Sequence, residues 1–253
     1  MTANRGAARR HQPRGLTILH EDRDILVVDK APGLLTIATE TTRDRTAYHL
    51  LTDYVRKGNA KARARIFIVH RLDRDTSGVL LFAKTPEAQR QLQDHWADTE
   101  KKYLAVVHGH LSPKAGMLTS YLAENAAHRM YSTPDPVRGQ LARTAYRVLG
   151  ETRAFSLLEI TLLTGRKNQI RVHLAERGHP VVGDQKYGRP PESRQRLALH
   201  ALSLAFNHPF TGRRLAFAAD VPAHFARLMG ASMLPGGTAQ DAPGGWPKHL
   251  NKA

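Results

Sequence analysis

The chain has 253 residues, with 38 Lys and Arg against 22 Asp and Glu, for a formal charge of +16. A 41% hydrophobic share is enough for a core, and the lack of cysteine excludes disulfide scaffolds, zinc-thiolate sites, iron–sulfur clusters and thiol nucleophiles. No apolar run reaches the length of a bilayer span, so a soluble chain without a membrane partner is expected, and its charge calls for a polyanion, nucleic acid first.

Residues 1–15 form an Arg-rich arm (Arg5, Arg9, Arg10, Arg14) with no apolar stretch of a secretory signal. This predicts a disordered basic arm on a cytoplasmic protein. Leu16–Leu19 and Ile25–Val28 read as short strands around the turn Glu21-Asp22-Arg23-Asp24. Residues 45–56 read as a helix, with Tyr48, Leu51 and Val55 on one face. Ile66–Val69 and Val79–Ala83 are apolar strands separated by a polar loop. Thr85-Pro86 opens a helix, the hydroxyl as N-cap and the proline at the first helical position, with Ala88, Leu92 and Trp96 turned inward. Tyr103–Val107 is a further strand.

Arg143–Leu149 and Phe155–Leu163 are expected as an antiparallel pair joined near Gly150-Glu151. Residues 167–177 form a helix stopped by Gly178 at the C′ position and Pro180 just beyond. Leu197–Phe206 and Arg214–Ala218 read as late strands and Pro222–Met229 as a closing helix. From Ala231 the chain loses periodicity and a disordered tail is expected over 231–253. The pattern predicts one α+β domain over 16–230, built on a largely antiparallel sheet.

The chemistry concentrates in His70-Arg71-Leu72-Asp73-Arg74-Asp75-Thr76-Ser77-Gly78, between two apolar strands that give it a rigid base. Asp73 lies between Arg71 and Arg74, and neighbouring cations favour an ionised carboxylate able to act as nucleophile or base. The same residues also fit a plain turn in which Asp73 or Asp75 bonds its own backbone. A third reading takes His70, Asp73 and Asp75 as Mg²⁺ ligands of a nuclease, although no further acidic cluster completes the shell. Ser77 lacks a nucleophile elbow, and no P-loop or dinucleotide fingerprint is present. Residue types and spacing alone leave a basic RNA- or DNA-acting enzyme centred on an aspartate, or a non-catalytic RNA-binding protein.

His70–Gly78, continued by Val79-Leu80-Leu81-Phe82-Ala83-Lys84-Thr85, resembles the H-R-L-D-x-x-T-S-G signature of the RluA-type pseudouridine synthases. Three further blocks are similar and in order: Lys101–Gly109, then Leu163–Leu174 with Gly178-His179-Pro180 and Gly183-Asp184, and Leu199-His200-Ala201 with Phe206-x-His208-Pro209. Two departures are visible, Lys30-Ala31-Pro32-Gly33 for the family's more usual Lys-Pro-x-Gly, and Asn168 where many members carry His.

The resemblance implies a mixed, mainly antiparallel sheet with flanking helices and a central active-site cleft. It implies site-specific isomerisation of uridine to pseudouridine in structured ribosomal or transfer RNA, by a monomer with no cofactor and no metal. The catalytic role falls on Asp73. Arg71 would fill the stack vacated by the flipped base or hold the backbone, Tyr103 would lie against that base, Arg171 would pair with Asp73, and Leu199 would pack beneath the uracil.

Overall fold

The computed structural model describes residues 12–38, 46–57, 59, 61–188 and 195–235. Eleven strands form one sheet. Strands β1 (Leu16–Glu21) and β2 (Ile25–Lys30) form a hairpin, and β2 pairs with β4 (Ser77–Ala83). The sheet continues through β10 (Leu199–Asn207), β5 (Glu100–His108), β9 (Phe155–Leu162), β8 (Gln140–Glu151), β6 (Ala115–Glu124) and β7 (Met130–Thr133). Short β3 (Phe67–Ile68) joins β4, and β11 (Arg214–Ala218) joins β10. Among the described strands, only the pairing of β4 with β10 is parallel, with His200 opposite Ser77 and Ala201 opposite Gly78.

That joint is tight. A Cβ on Gly78, whose φ is +114°, would lie 2.1 Å from the Ala201 carbonyl oxygen, so only glycine fits there. The Ser77 hydroxyl and His200 Nδ1, 2.9 Å apart, tie the same two strands through their side chains.

Strand alternation divides the core between the two faces of the sheet. Leu26, Val28, Leu80 and Phe82 point to one side, where they meet Leu51 of α1 (Ala47–Arg56) and Phe225 of α4 (Ala223–Met229). Ile25, Val27, Val79 and Leu81 point to the other and meet Ala88 and Leu92 of α2 (Pro86–Asp94). Near the far edge α3 (Gln169–Glu176) is seated on the sheet by His173, whose two ring nitrogens lie 2.9 Å from the hydroxyls of Ser120 and Thr144.

The expected α+β fold is observed, and its helix boundaries have local causes. Thr46 and Thr85 cap α1 and α2 by accepting hydrogen bonds from the amides of His49 and Ala88. Helix α3 begins two residues later than its pattern suggested, because Asn168 sits at φ +54° and takes Lys167 out of the helix. Trp96 is not on the inward face of α2, which ends at Asp94; it opens a 3₁₀ turn over Trp96–Asp98. The β8–β9 turn falls after Glu151 rather than at Gly150-Glu151. Strands β6 and β7 were not anticipated.

Of the arm expected over 1–15, residues 1–11 lie outside the described residues, while the carbonyls of Pro13 and Gly15 already accept hydrogen bonds from Leu16 and Ala31. At the other end, Ala231–Met233 make a 3₁₀ turn and Leu234 packs on the main core, so order extends past Ala231; residues 236–253 lie outside the described set. No helix among the described residues is long and apolar enough to cross a membrane.

Candidate active site

The loop from His70 to Thr76 is held from behind along its length. His70 is half-buried, and its Nε2 accepts a hydrogen bond from the Leu81 amide at 3.1 Å. Burial, with Lys101 close by, pushes its pKa down to about 3, so the ring is neutral. The Thr36 hydroxyl donates to the Leu72 carbonyl at 2.8 Å and accepts from the Leu72 amide at 3.1 Å. Lys30, fully buried, donates to the carbonyls of Ala31, Leu34 and Arg74 at 3.0, 2.8 and 3.1 Å. Burial brings the Lys30 ammonium down to about 8, against the opposing pull of Asp75 and Asp73. Asp73 thus stands between two clamped residues, Leu72 and Arg74.

In front of the loop, Arg171 of α3 donates from Nη1 to Asp73 Oδ2 at 3.0 Å. The same guanidinium donates from Nε and Nη2 to both oxygens of Asp184, at 2.7 and 2.8 Å, and from Nη1 to Asn168 Oδ1 at 3.2 Å. Asp184 has no exposed side-chain surface. Burial alone would raise its carboxyl, but the Arg171 hydrogen bonds and charge, with the amides of Tyr187 and Lys186, outweigh it and hold the group below its usual range. The Tyr187 ring lies 5.3 Å from the Arg171 guanidinium carbon, closing its remaining side.

The α3 terminus that carries Arg171 is built by Gln169. Its side-chain oxygen accepts from the Thr164 hydroxyl and the Arg166 amide, and its nitrogen donates to the Arg143 carbonyl and the Thr144 hydroxyl. The sequence pattern Thr164-Gly165-Arg166-x-x-Gln169 is therefore a turn that aims the helix.

A cavity of about 340 Å³ opens beside Asp73, and Arg71, Tyr103, Arg171 and Leu199 all line it. All five expected site residues are thus brought together. Tyr103 and Lys101 alternate on β5 and share its cleft-facing side. Burial and then the Asp73 charge push the Tyr103 hydroxyl far above its usual range, so it stays protonated. Leu199 is buried at the start of β10, and Arg71 is exposed at the rim.

Four residues in and around the cavity owe their place to the fold rather than to local pattern. Trp96 lines the wall, with its ring 4.6 Å from that of His70, and Lys101 lies 5.3 Å from the indole. Asp184 was visible only as part of a matching block, with nothing in its spacing to show that it would meet Arg171. Lys167, expected on the helix face, instead pairs with Glu124.

The donor geometry does not favour the metal reading of the loop. His70 spends its Nε2 on the Leu81 amide, and Asp75 lies 3.4 Å from Arg74. Among the described residues, the one group of three metal-type side chains within reach of each other is Asp22, Asp24 and His208. There Asp22 Oδ1 accepts the amides of Asp24 and Ile25, while Oδ2 pairs with His20 and His208, so the carboxylate serves the β1–β2 turn.

Residues 24–176 match the family model described as RNA pseudouridylate synthase. The chain is 36% identical over 221 residues to ribosomal large subunit pseudouridine synthase D of Zymomonas mobilis, covering 82% of this chain and 69% of that protein. It is 38% identical over 229 residues to the protein of the same name in Nitrosomonas europaea, covering 85% of this chain and 65% of that one. Among solved structures, human RNA Pseudouridylate Synthase Domain Containing 4 superimposes with a TM-score of 0.70 at 24% identity, over 83% of this chain and 90% of that one. Human RNA Pseudouridylate Synthase Domain Containing 1 gives 0.64 at 26% identity, over 84% and 86%. With the family's sequence pattern, its fold and a carboxylate set in a central cleft, the chain belongs to the RNA pseudouridine synthases, enzymes that isomerise uridine in RNA.

Proposed function

We propose that the chain forms pseudouridine in large-subunit ribosomal RNA, with Asp73 as the carboxylate that engages the target nucleoside. The observation that carries this is the Asp73–Arg171 ion pair at the edge of a cavity also lined by Tyr103 and Leu199. The substrate class follows the printed names of the relatives in Zymomonas and Nitrosomonas.

The reaction breaks the N1–C1′ bond of uridine, turns the base, and forms a C5–C1′ bond as the C5 proton leaves and N1 gains one. A stacked uridine has to leave its helix first, at a cost of a few kcal/mol. Arg71, exposed at the rim, takes the vacated place in the stack. Arg171 fixes the Asp73 carboxylate toward the flipped nucleoside. Tyr103 lies against the uracil with its hydroxyl protonated, and Leu199 packs beneath. Every group in this scheme is a side chain of residues 71–199, and no cofactor or metal enters it. The catalytic domain occupies 16–230, and the protein works as a cytoplasmic monomer.

The test is tritium release from uracil C5 of RNA taken from cells lacking this gene, in EDTA, with ribosomal and transfer RNA kept apart. Release from ribosomal RNA by wild type but not by Asp73→Asn is the expected result. Release from transfer RNA alone overturns the substrate, and undiminished release by Asp73→Asn overturns the residue assignment. No release from either pool, with tight RNA binding retained, points to a non-catalytic RNA-binding protein.

A further inference from the structure

A second and larger cavity, about 820 Å³, shares Arg171 as a lining residue with the cavity beside Asp73. Its walls come from six separate stretches of chain: Pro32-Gly33, Arg74-Asp75, the β6–β7 hairpin through Arg129, α3 through Arg171, the Gly183–Lys186 turn, and Gln195–Leu197. These stretches bring Arg74, Arg129, Arg171, Lys186 and Arg196 to one groove whose only carboxylate among the described residues is Asp75.

Two of the five cations are already matched. Arg171 serves Asp73 and Asp184, and Arg74 lies 3.4 Å from Asp75. Arg129, Lys186 and Arg196 make no close ion pair with an acid among the described residues, and Glu124 is the one acid whose charge reaches Lys186. Arg129 rests over the Tyr187 ring at 4.8 Å, and Lys186 donates to the His128 carbonyl at 2.7 Å. Partial burial, then the charges of Lys167 and Arg171, lower the Lys186 ammonium; Glu124 opposes them, and Arg129 adds a further lowering charge. Arg196 lines the groove on the side nearer α4, where its guanidinium meets the charge of Arg227. A Cβ on Gly183, at φ +76°, would lie 2.3 Å from the Arg196 carbonyl oxygen, so glycine is what lets this segment close against the turn.

Among the described residues no aromatic lines the groove, and Tyr187 presents its ring to Arg129 and Arg171. A site of this composition suits phosphate oxygens and offers bases nothing to stack on. We propose that it holds the sugar-phosphate backbone of the RNA beside the target uridine, with Arg129, Lys186 and Arg196 each facing phosphate. This rests on the RNA-modifying reading above and adds where the strand runs once the uridine has entered the cleft. Arg171 then separates a chamber for the base from a channel for the backbone.

The experiment is filter binding of labelled large-subunit ribosomal RNA across a KCl series, for wild type, Arg129→Gln/Arg196→Gln, Lys186→Gln, and Arg129→Lys/Arg196→Lys. Arg90→Gln on α2, which lines neither cavity, is the control. Each lost phosphate contact lowers the slope of log K against log salt by about 0.7–0.9. The double Gln variant should therefore lose roughly 1.5 in slope, and Lys186→Gln about half of that. The double Lys variant and the control should match wild type. An unchanged slope in the double Gln variant and in Lys186→Gln overturns the proposal. If the double variant does not fold, Lys186→Gln decides alone. Tritium release by wild type is read separately: its absence with a reduced slope in the variants counts against uridine isomerisation while leaving the groove in place.

Discussion

Arg171 gives Asp184 two hydrogen bonds, at 2.7 and 2.8 Å, and gives Asp73 only one, at 3.0 Å. The buried acid is thus the anchor of the guanidinium, and the cleft acid depends on it. Removing one partner of a buried ion pair costs about 3–5 kcal/mol, because a charge is left uncompensated. Asp184→Asn should therefore lower unfolding stability by about 3 kcal/mol and reduce kcat by at least about 10-fold as Arg171 loses its position. Asp73→Asn touches a partly exposed single contact and should change stability by less than about 1 kcal/mol while abolishing turnover. Urea unfolding and single-turnover assays of both variants separate the anchor from the reacting group.

Arg71 is exposed at the cavity rim. If it replaces the flipped uridine in the stack, its contribution appears after RNA has bound. Arg71→Ala should lower kcat by about 10- to 100-fold, the equivalent of one to three kcal/mol of flipping cost, with Kd for RNA changed less than about threefold. Equal losses in kcat and affinity would reduce Arg71 to a phosphate contact.

Burial depresses four histidines, His70 to about 3 and His173, His200 and His224 to about 4. In the unfolded chain these rings titrate near 6.5. Between those limits the unfolded state binds more protons, so stability is complete above about pH 6.5 and falls as pH drops toward 4. The urea midpoint should decline steadily from pH 7 to pH 4.5, and His70→Asn should flatten that decline. A midpoint independent of pH would mean that the rings are charged in the folded protein.

Gly78→Ala should be among the most damaging single substitutions, since its Cβ would meet the Ala201 carbonyl oxygen at 2.1 Å. A loss of more than about 3 kcal/mol is expected, large enough to remove most soluble protein. Gly165→Ala is the matched control, because nothing lies within 4 Å of the added carbon. The two thermal midpoints make the comparison.

The features legible from sequence were those written in local chemistry. Thr85-Pro86 and Gly178 mark helix ends through backbone rules that need no tertiary partner. The loop around Asp73 was legible because its signature is contiguous. Strand β6 was hidden because its inward residues include Leu118 and Leu122, whose spacing of four looks helical, while Thr119 and Ser120 give no apolar alternation. Trp96 was misplaced because its spacing from Leu92 fits a helix that in fact stops at Asp94. Asp184 lies 111 positions from Asp73, and only the fold joins the two through Arg171. A contact that depends on distant segments leaves no mark in local periodicity.

The position of β10 has a consequence for how the protein is made. This late strand lies in the middle of the sheet, between β4 and β5, and supplies Leu199 to the cleft. Until it has been synthesised, β4 and β5 are separated by a gap one strand wide, about 10 Å. A growing chain can assemble the β1–β2–β4 layer and the β5-to-β7 layer, but cannot join them. Long-range closure of this kind is slow compared with hairpin formation, so the insertion of β10 sets the pace. The cavity beside Asp73 is therefore completed in one step, when β10 enters the sheet and brings Leu199 to it.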